Sequence, residues 1–76
     1  MNFIDKKEKL ANLIEEYILD ESKENDLLYL IGELSMDSEF KSKDLFMNLF
    51  NELKIYLTSL SRKELKQRVL MIRSFD

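Results

Sequence analysis

The residue types that carry most enzyme and metal chemistry are missing from this chain. Its 76 residues include no His, Cys, Pro or Trp, and a single Gly, at position 32. Without His or Cys, the commonest general base, the thiol nucleophile and the soft metal ligands are absent. With one Gly, no segment resembles a phosphate-binding loop. These absences predict a protein that is not an enzyme and that has no cofactor or metal.

A stretch of acidic and hydroxyl side chains is the part of the sequence that is most similar to a metal site. Oxygen-bearing side chains alternate at Asp20, Ser22, Glu24 and Asp26, like the first four ligands of a calcium-binding loop. However, Asn25 stands where that loop needs Gly, and Ile31 where it needs a bidentate Glu. Adjacent acids such as Glu15 and Glu16 diverge on a helix surface and form no catalytic pair. We therefore expect residues 20–26 to form an exposed turn between helices.

The dipeptide Asp37-Ser38 lies at the middle of this short, acidic chain. In these respects the chain resembles an acyl carrier protein, whose Asp-Ser-Leu motif carries phosphopantetheine on the serine at a helix start. The resemblance would make Ser38 the modified residue. Glu39 replaces the Leu of that motif, and Lys41 and Lys43 follow where the family is acidic. The sequence favours the alternative, in which this dipeptide caps a helix.

Basic residues cluster near the end of the sequence. On a helix that turns roughly 100° per residue, Arg62, Lys66 and Arg73 share one face, and Leu70 lies beside them. Such a face can pack on an acidic helix of its own chain or of a second copy, bind another protein, or follow a nucleic-acid backbone. The net charge of −3 and the lack of aromatic residues among these basic ones count against nucleic acid.

Three further residues lie off the apolar stripes of their predicted helices, namely Tyr29, Met47 and Ile55. Single exposed apolar residues are normal, but several on so small a surface favour a contact patch. The candidate partner-binding residues are therefore Arg62, Lys66, Leu70, Arg73, Met47, Ile55 and Tyr29.

Four predicted helices position these residues. The first covers residues 3–19, with an apolar stripe at Leu10, Leu13, Ile14, Tyr17 and Ile18. Either Asn2 or Asp5, paired with Glu8, can cap its start. The second begins at Leu27 after the polar turn; a short strand is the alternative, but no other segment offers a strand partner. Gly32 inside this helix predicts a close neighbouring helix or a kink.

The third predicted helix follows a linker of residues 36–40 and has the broadest apolar stripe. Its stripe consists of Phe46, Leu49, Leu53, Tyr56 and Leu60, widened by Leu45, Phe50 and Leu57. The fourth helix begins at a capping box formed by Ser61 and Glu64, with Leu60 and Leu65 as its hydrophobic staple. Leu65, Val69 and Ile72 then face the core. A sharp corner between the third and fourth helices follows from these signals.

Charge is distributed unevenly along the chain. Residues 1–40 carry four basic and eleven acidic residues, whereas residues 41–76 carry eight basic and four acidic ones. The two halves can therefore attract each other, or one of them can face a charged partner. Since disulfides are impossible and a small core gives limited stability, tight helix packing or self-association must stabilise the fold.

These observations predict one domain, residues 1–76, folded as a compact all-α bundle of four short antiparallel helices, or of three helices and a turn. The N-terminus has no signal-peptide core, and the longest apolar run, residues 27–31, is far shorter than the roughly 20 residues that span a bilayer. We therefore expect a cytoplasmic protein without membrane contact.

The expected function is that of a non-enzymatic protein–protein interaction module that acts as a homodimer. A regulator, an inhibitor or an immunity-type protein of a bacterium or phage would fit this description. The alternative is a small DNA-associated regulator that uses the basic fourth helix, and a more remote one is an acyl-carrier-like protein.

Overall fold

Five helices follow one another in the computed structural model, which describes residues 2–56 and 61–75, except for the side chains of residues 55 and 56. They are α1 (Phe3–Leu19), α2 (Glu24–Met36), α3 (Ser38–Lys41), α4 (Asp44–Tyr56) and α5 (Arg62–Ser74), with a 3₁₀ turn at Glu21–Lys23. The predicted all-α helical bundle is confirmed. The four long helices correspond to the four predicted ones, and α3 is additional.

The start of α1 is capped by Asn2, whose side-chain oxygen accepts a hydrogen bond from the backbone N–H of Asp5 at 2.9 Å. Asn2 is therefore the cap, and Asp5 lies in the first turn, where its negative charge interacts favourably with the positive end of the helix dipole.

At the other end of α1, the Asp20 carboxylate accepts a hydrogen bond from the backbone N–H of Ser22 at 3.0 Å. This hydrogen bond lowers the pKa of Asp20. The calcium-like stretch thus begins with a cap for the 3₁₀ turn.

The second helix starts three residues earlier than its apolar run predicts, at Glu24 instead of Leu27. The acidic residues of its first turn, Glu24 and Asp26, stabilise the positive end of the helix dipole there. Gly32 lies exposed within this helix, and, apart from its adjacent residues and the backbone of its own helix, no atom lies within 4 Å of the position a Cβ would occupy. The expected close approach at Gly32 is therefore wrong, and α2 continues through it to Met36.

The predicted linker of residues 36–40 overlaps the short helix α3, which extends to Lys41. The Asp37 carboxylate accepts from the backbone N–H of Glu39 at 2.8 Å and caps this helix, which confirms the predicted capping role. One turn later Phe40 is fully buried. A linker was expected because four residues are too few to show helical periodicity, but this turn places an aromatic ring in the core.

The last two long helices bury most of the predicted residues that the structure describes, and Leu49 is partly buried. Phe46, Phe50 and Leu53 of α4 are buried, but Leu45 is 75% exposed and does not widen the stripe. The capping box of α5 is confirmed: the Ser61 hydroxyl accepts from the backbone N–H of Glu64 at 3.2 Å, and the Glu64 carboxylate accepts from that of Ser61 at 3.4 Å. The remaining predicted stripe and staple residues of this corner, Tyr56, Leu57 and Leu60, lie outside the described side chains.

Helix α1 lies at the centre of the core and packs most extensively on α5. The two helices are antiparallel, because Lys7 near the start of α1 donates to the carbonyl of Phe75, whereas Ile18 near its end lies beside Val69. The aromatic rings form a cluster in which Phe3, Phe40 and Phe46 have centroids 5.1 Å apart. Edge and tilted contacts between such rings add to their burial energy. The core thus joins both ends of the described chain.

Candidate partner-binding face between α1 and α5

Four of the predicted partner-binding residues lie on α5, and three of them are exposed. Arg62 and Lys66 have exposed side chains, and Leu70 is 68% exposed. Arg73 differs, because it is partly buried against α1. The same helix directs Leu65, Val69 and Ile72 into the core, as the sequence predicted. Helix α5 therefore has two faces, a buried face and an exposed face that carries both basic and apolar side chains.

The Arg73 guanidinium binds three side chains of α1. Its Nε donates to Glu8 at 2.9 Å, one Nη donates to Asn12 at 2.6 Å, and both Nη atoms bind the Glu15 carboxylate. Glu15 and then Glu8 raise the pKa of Arg73. The possibility that the basic face packs on the acidic half of the same chain therefore holds for this residue. A planar guanidinium suits such multiple acceptors better than an ammonium does.

A groove of about 400 Å³ lies beside Arg73, between the end of α1 and the middle of α5. Its lining residues are Glu15, Ile18, Leu19, Lys66, Val69 and Leu70. Ile18 and Val69 belong to the core and form the floor. Leu19 and Leu70 are 85% and 68% exposed, and each helix contributes one of them. The groove is thus apolar between one acidic and one basic side chain.

Leu19 and Glu15 were not among the candidate residues predicted from the sequence. A helical projection of α1 contained the signal, since Leu19 lies roughly 100° from the core residue Ile18 and shares a side with Glu15. The projection could not show which helix lies beside this stripe of α1. Only the packing of α5 on α1 brings this stripe next to Lys66 and Leu70.

The other three predicted residues do not join this face. Tyr29 is 70% exposed, but it lines a different cleft, between α1 and α2, with Lys9 and Glu33. Met47 is partly buried and packs against the core, so its expected display on the surface is wrong. The side chain of Ile55 lies outside the described part of the chain. The predicted patch therefore divides into the α1–α5 groove and an isolated tyrosine.

Two lysines of α1 hold the neighbouring segments in place. Lys6 forms an ion pair with Asp37, the cap of α3, and this contact lowers the pKa of Asp37 and raises that of Lys6. Lys7 is buried and donates to the backbone carbonyl of Phe75. These polar contacts are structural, because each ties a helix end to α1.

The described residues give no metal-binding cluster of three or more acidic side chains. Ser38, the serine of the acyl-carrier resemblance, is exposed as the first residue of α3. None of the helices within residues 2–56 and 61–75 has both the length and the apolar character to cross a bilayer. No family model, no curated protein and no solved structure matches the chain.

Proposed function

We propose that this chain is a non-enzymatic interaction module that binds another protein chain through the α1–α5 groove. The observation that carries the proposal is the pairing of two exposed leucines, Leu19 and Leu70, across one groove. Exposing such side chains together is unfavourable in a free monomer, and contiguous apolar patches mark contact surfaces. A regulator, an inhibitor or an immunity-type protein would use such a surface.

The charges around the groove define the kind of contact. Lys66 lines the groove on the α5 side, and Glu15 lines it on the α1 side, where it is bound to Arg73. A ring of charged side chains around an apolar centre is the usual arrangement of protein interfaces. It gives specificity at the rim while the buried leucines supply affinity.

The DNA-associated alternative receives less support from this arrangement. Arg73, one of its three basic residues, is bound to Glu8 and Glu15 of the same chain. A nucleic-acid backbone would thus meet acidic side chains beside the remaining basic ones. An apolar leucine at the centre of the face also suits a protein partner better than a phosphate backbone.

Capture from lysate of the native host tests the proposal. The wild-type chain, Leu70→Asp and Leu45→Asp serve as baits, and retained proteins are identified by mass spectrometry. Leu45 is 75% exposed on α4 and is a matched control for an exposed leucine outside the groove. We expect the wild-type and Leu45→Asp baits to retain a partner that the Leu70→Asp bait loses. That partner is either a different protein or further copies of this chain. Identical retention by all three baits would contradict the proposal.

The same capture at increasing salt separates protein from nucleic acid. Binding to DNA through several phosphate contacts weakens steeply with salt, whereas an apolar contact tolerates it. If only nucleic acid is retained, and Lys66→Glu abolishes its binding while Leu70→Ala does not, the DNA-associated alternative replaces the interaction module.

A further inference from the structure

We infer that the outer face of α2 is a second docking surface and that its occupant is a basic amphipathic helix of another protein. This outer α2 face consists of Tyr29, Gly32 and Met36, which a turn of roughly 100° per residue places on the side of α2 away from the core. It is separate from the α1–α5 groove, so the inference goes beyond the proposed function. Three observations support it, namely the apolar character of the face, the position of its glycine and the charge beside it.

The first observation is that α2 has apolar side chains on two opposite sides. The residues that face the core are Leu27, Leu30, Ile31 and Leu34. On the opposite side, Tyr29 is 70% exposed and Met36 is 80% exposed, and Asn25 in the first turn is polar. A surface helix of a globular protein normally has charged and polar residues on that side. Neighbouring exposed apolar side chains instead mark a contact surface.

The second observation is a glycine that the fold of the chain does not explain. Glycine is the least favourable residue inside a helix after proline, and the φ of Gly32 is not in the left-handed region that would require it. Apart from its adjacent residues and the backbone of its own helix, no atom lies within 4 Å of the position of a Cβ, so alanine would fit. A glycine between Tyr29 and Met36 leaves a gap in the outer α2 face where a second helix can approach closely.

The third observation is charge, which defines the kind of partner. Helix α2 carries Glu24, Asp26 and Glu33 and no basic residue. Asp26 and Glu33 line the cleft beside Tyr29 together with Lys9 of α1, so one acidic charge is in excess there. Neither acid forms an ion pair within residues 2–56 and 61–75. An acidic flank beside an apolar face is complementary to a helix with a basic flank, whereas α2 of a second copy would bring acid against acid.

Two synthetic peptides test the inference by fluorescence anisotropy. Helix α2 has 13 residues and is about 20 Å long, so an 18-residue helical peptide of about 27 Å spans it. One peptide places leucine and lysine in an amphipathic helical pattern, and the other places leucine and glutamate in the same pattern. We expect the wild-type chain to bind the leucine–lysine peptide at least tenfold more tightly than the leucine–glutamate peptide. Added salt should weaken this binding.

Gly32→Ala separates a docking role from a structural one. Because alanine favours the helix and fits at this position, the variant should melt several degrees above wild type. It should nevertheless bind the leucine–lysine peptide at least tenfold more weakly, since its methyl group fills the gap, and Tyr29→Asp should lose binding as well. Leu70→Asp is the matched control, because it removes an exposed apolar side chain from the α1–α5 groove, and it should bind the peptide as wild type does. Circular dichroism verifies that each variant is folded.

Three results would overturn the inference. One is equal affinity of the wild-type chain for the two peptides, and another is equal affinity of wild type, Gly32→Ala and Tyr29→Asp for the leucine–lysine peptide. Loss of binding in Leu70→Asp alone would place the peptide in the α1–α5 groove and exclude the outer α2 face. Sedimentation equilibrium of the chain alone covers the other occupant, since self-association that Gly32→Ala abolishes would make a second copy the partner instead. None of these results decides the proposed function, whose test is the capture lost in Leu70→Asp.

Discussion

Removal of the Arg73 guanidinium should loosen the contact between the first and last helices. Arg73→Ala deletes two ion pairs, with Glu8 and Glu15, and a hydrogen bond to Asn12. An exposed ion pair contributes about 0.2–1 kcal/mol. The Arg73 side chain is 32% exposed, and its contact with Glu15 is bidentate, so the pair with Glu15 belongs near the upper end of that range. We expect a loss of about 1–2 kcal/mol in the free energy of unfolding.

Thermal unfolding followed by circular dichroism measures this loss. A domain of this size loses about 4–8 °C in Tm per kcal/mol, so Arg73→Ala should unfold about 5–15 °C below wild type. The same low micromolar concentration for every variant keeps the comparison independent of protein concentration. Arg62→Ala is the matched control, because Arg62 is exposed on the same helix. It should leave the Tm nearly unchanged.

Salt and a conservative variant sharpen the test. At about 1 M salt the Debye length is about 3 Å, so the difference between Arg73→Ala and wild type should shrink. Arg73→Lys keeps the charge but loses the planar fork, and its Tm should lie between the two. Equal melting temperatures for Arg73→Ala and Arg62→Ala would refute the reasoning, since the ion pairs of Arg73 would then add nothing to the packing of α5.

Three more predictions concern the core, a cap and the pH dependence. Phe46→Ala should cost about 3–5 kcal/mol in urea unfolding, because the ring is fully buried; an unchanged midpoint would contradict its place in the core. Ser61→Ala should cost about 0.5–2 kcal/mol, and a neutral result would mean that the capping box does not form in solution. Asp37→Asn keeps a capping oxygen but loses the ion pair with Lys6. Since the folded pKa of Asp37 is lowered, the advantage of wild type over this variant should be complete above about pH 4 and vanish as pH falls through that pKa; a constant difference would refute this.

The parts of the fold that the sequence predicted are those with a local cause. The stripe of α1 repeats over several turns, and the capping box at Ser61 involves residues three positions apart, so both could be recognised without a neighbour. The helix α3 was missed because four residues are too short for periodicity, although Asp37 was recognised as a cap. Of the two roles predicted for Gly32, a close neighbouring helix or a kink, the first is wrong, because the fold brings no other helix close to that position.

The candidate site was only partly predictable for the same physical reason. A helical projection places Arg62, Lys66, Leu70 and Arg73 on one face, but it does not tell which helix lies beside them. Arg73 finds its acceptor Glu8 65 positions away in the sequence. The half-buried state of Met47 likewise depends on the helices that cover it. A local sequence pattern cannot predict the role of a side chain when that role depends on a helix that is distant in the sequence.

The contact between Lys7 and Phe75 has a consequence for synthesis of the chain. The ribosome makes α1 first, but α5, the helix on which α1 packs most, comes last, and the two contacting residues are 68 positions apart. At about 5–20 residues per second, synthesis of the 68 residues between Lys7 and Phe75 takes roughly 3–14 s. During that time Ile18, which lies beside Val69 in the folded chain, lacks the contact with α5. A chain that terminates before α5 therefore leaves the α5-facing side of α1 uncovered, and we expect such a fragment to aggregate more readily than the full chain.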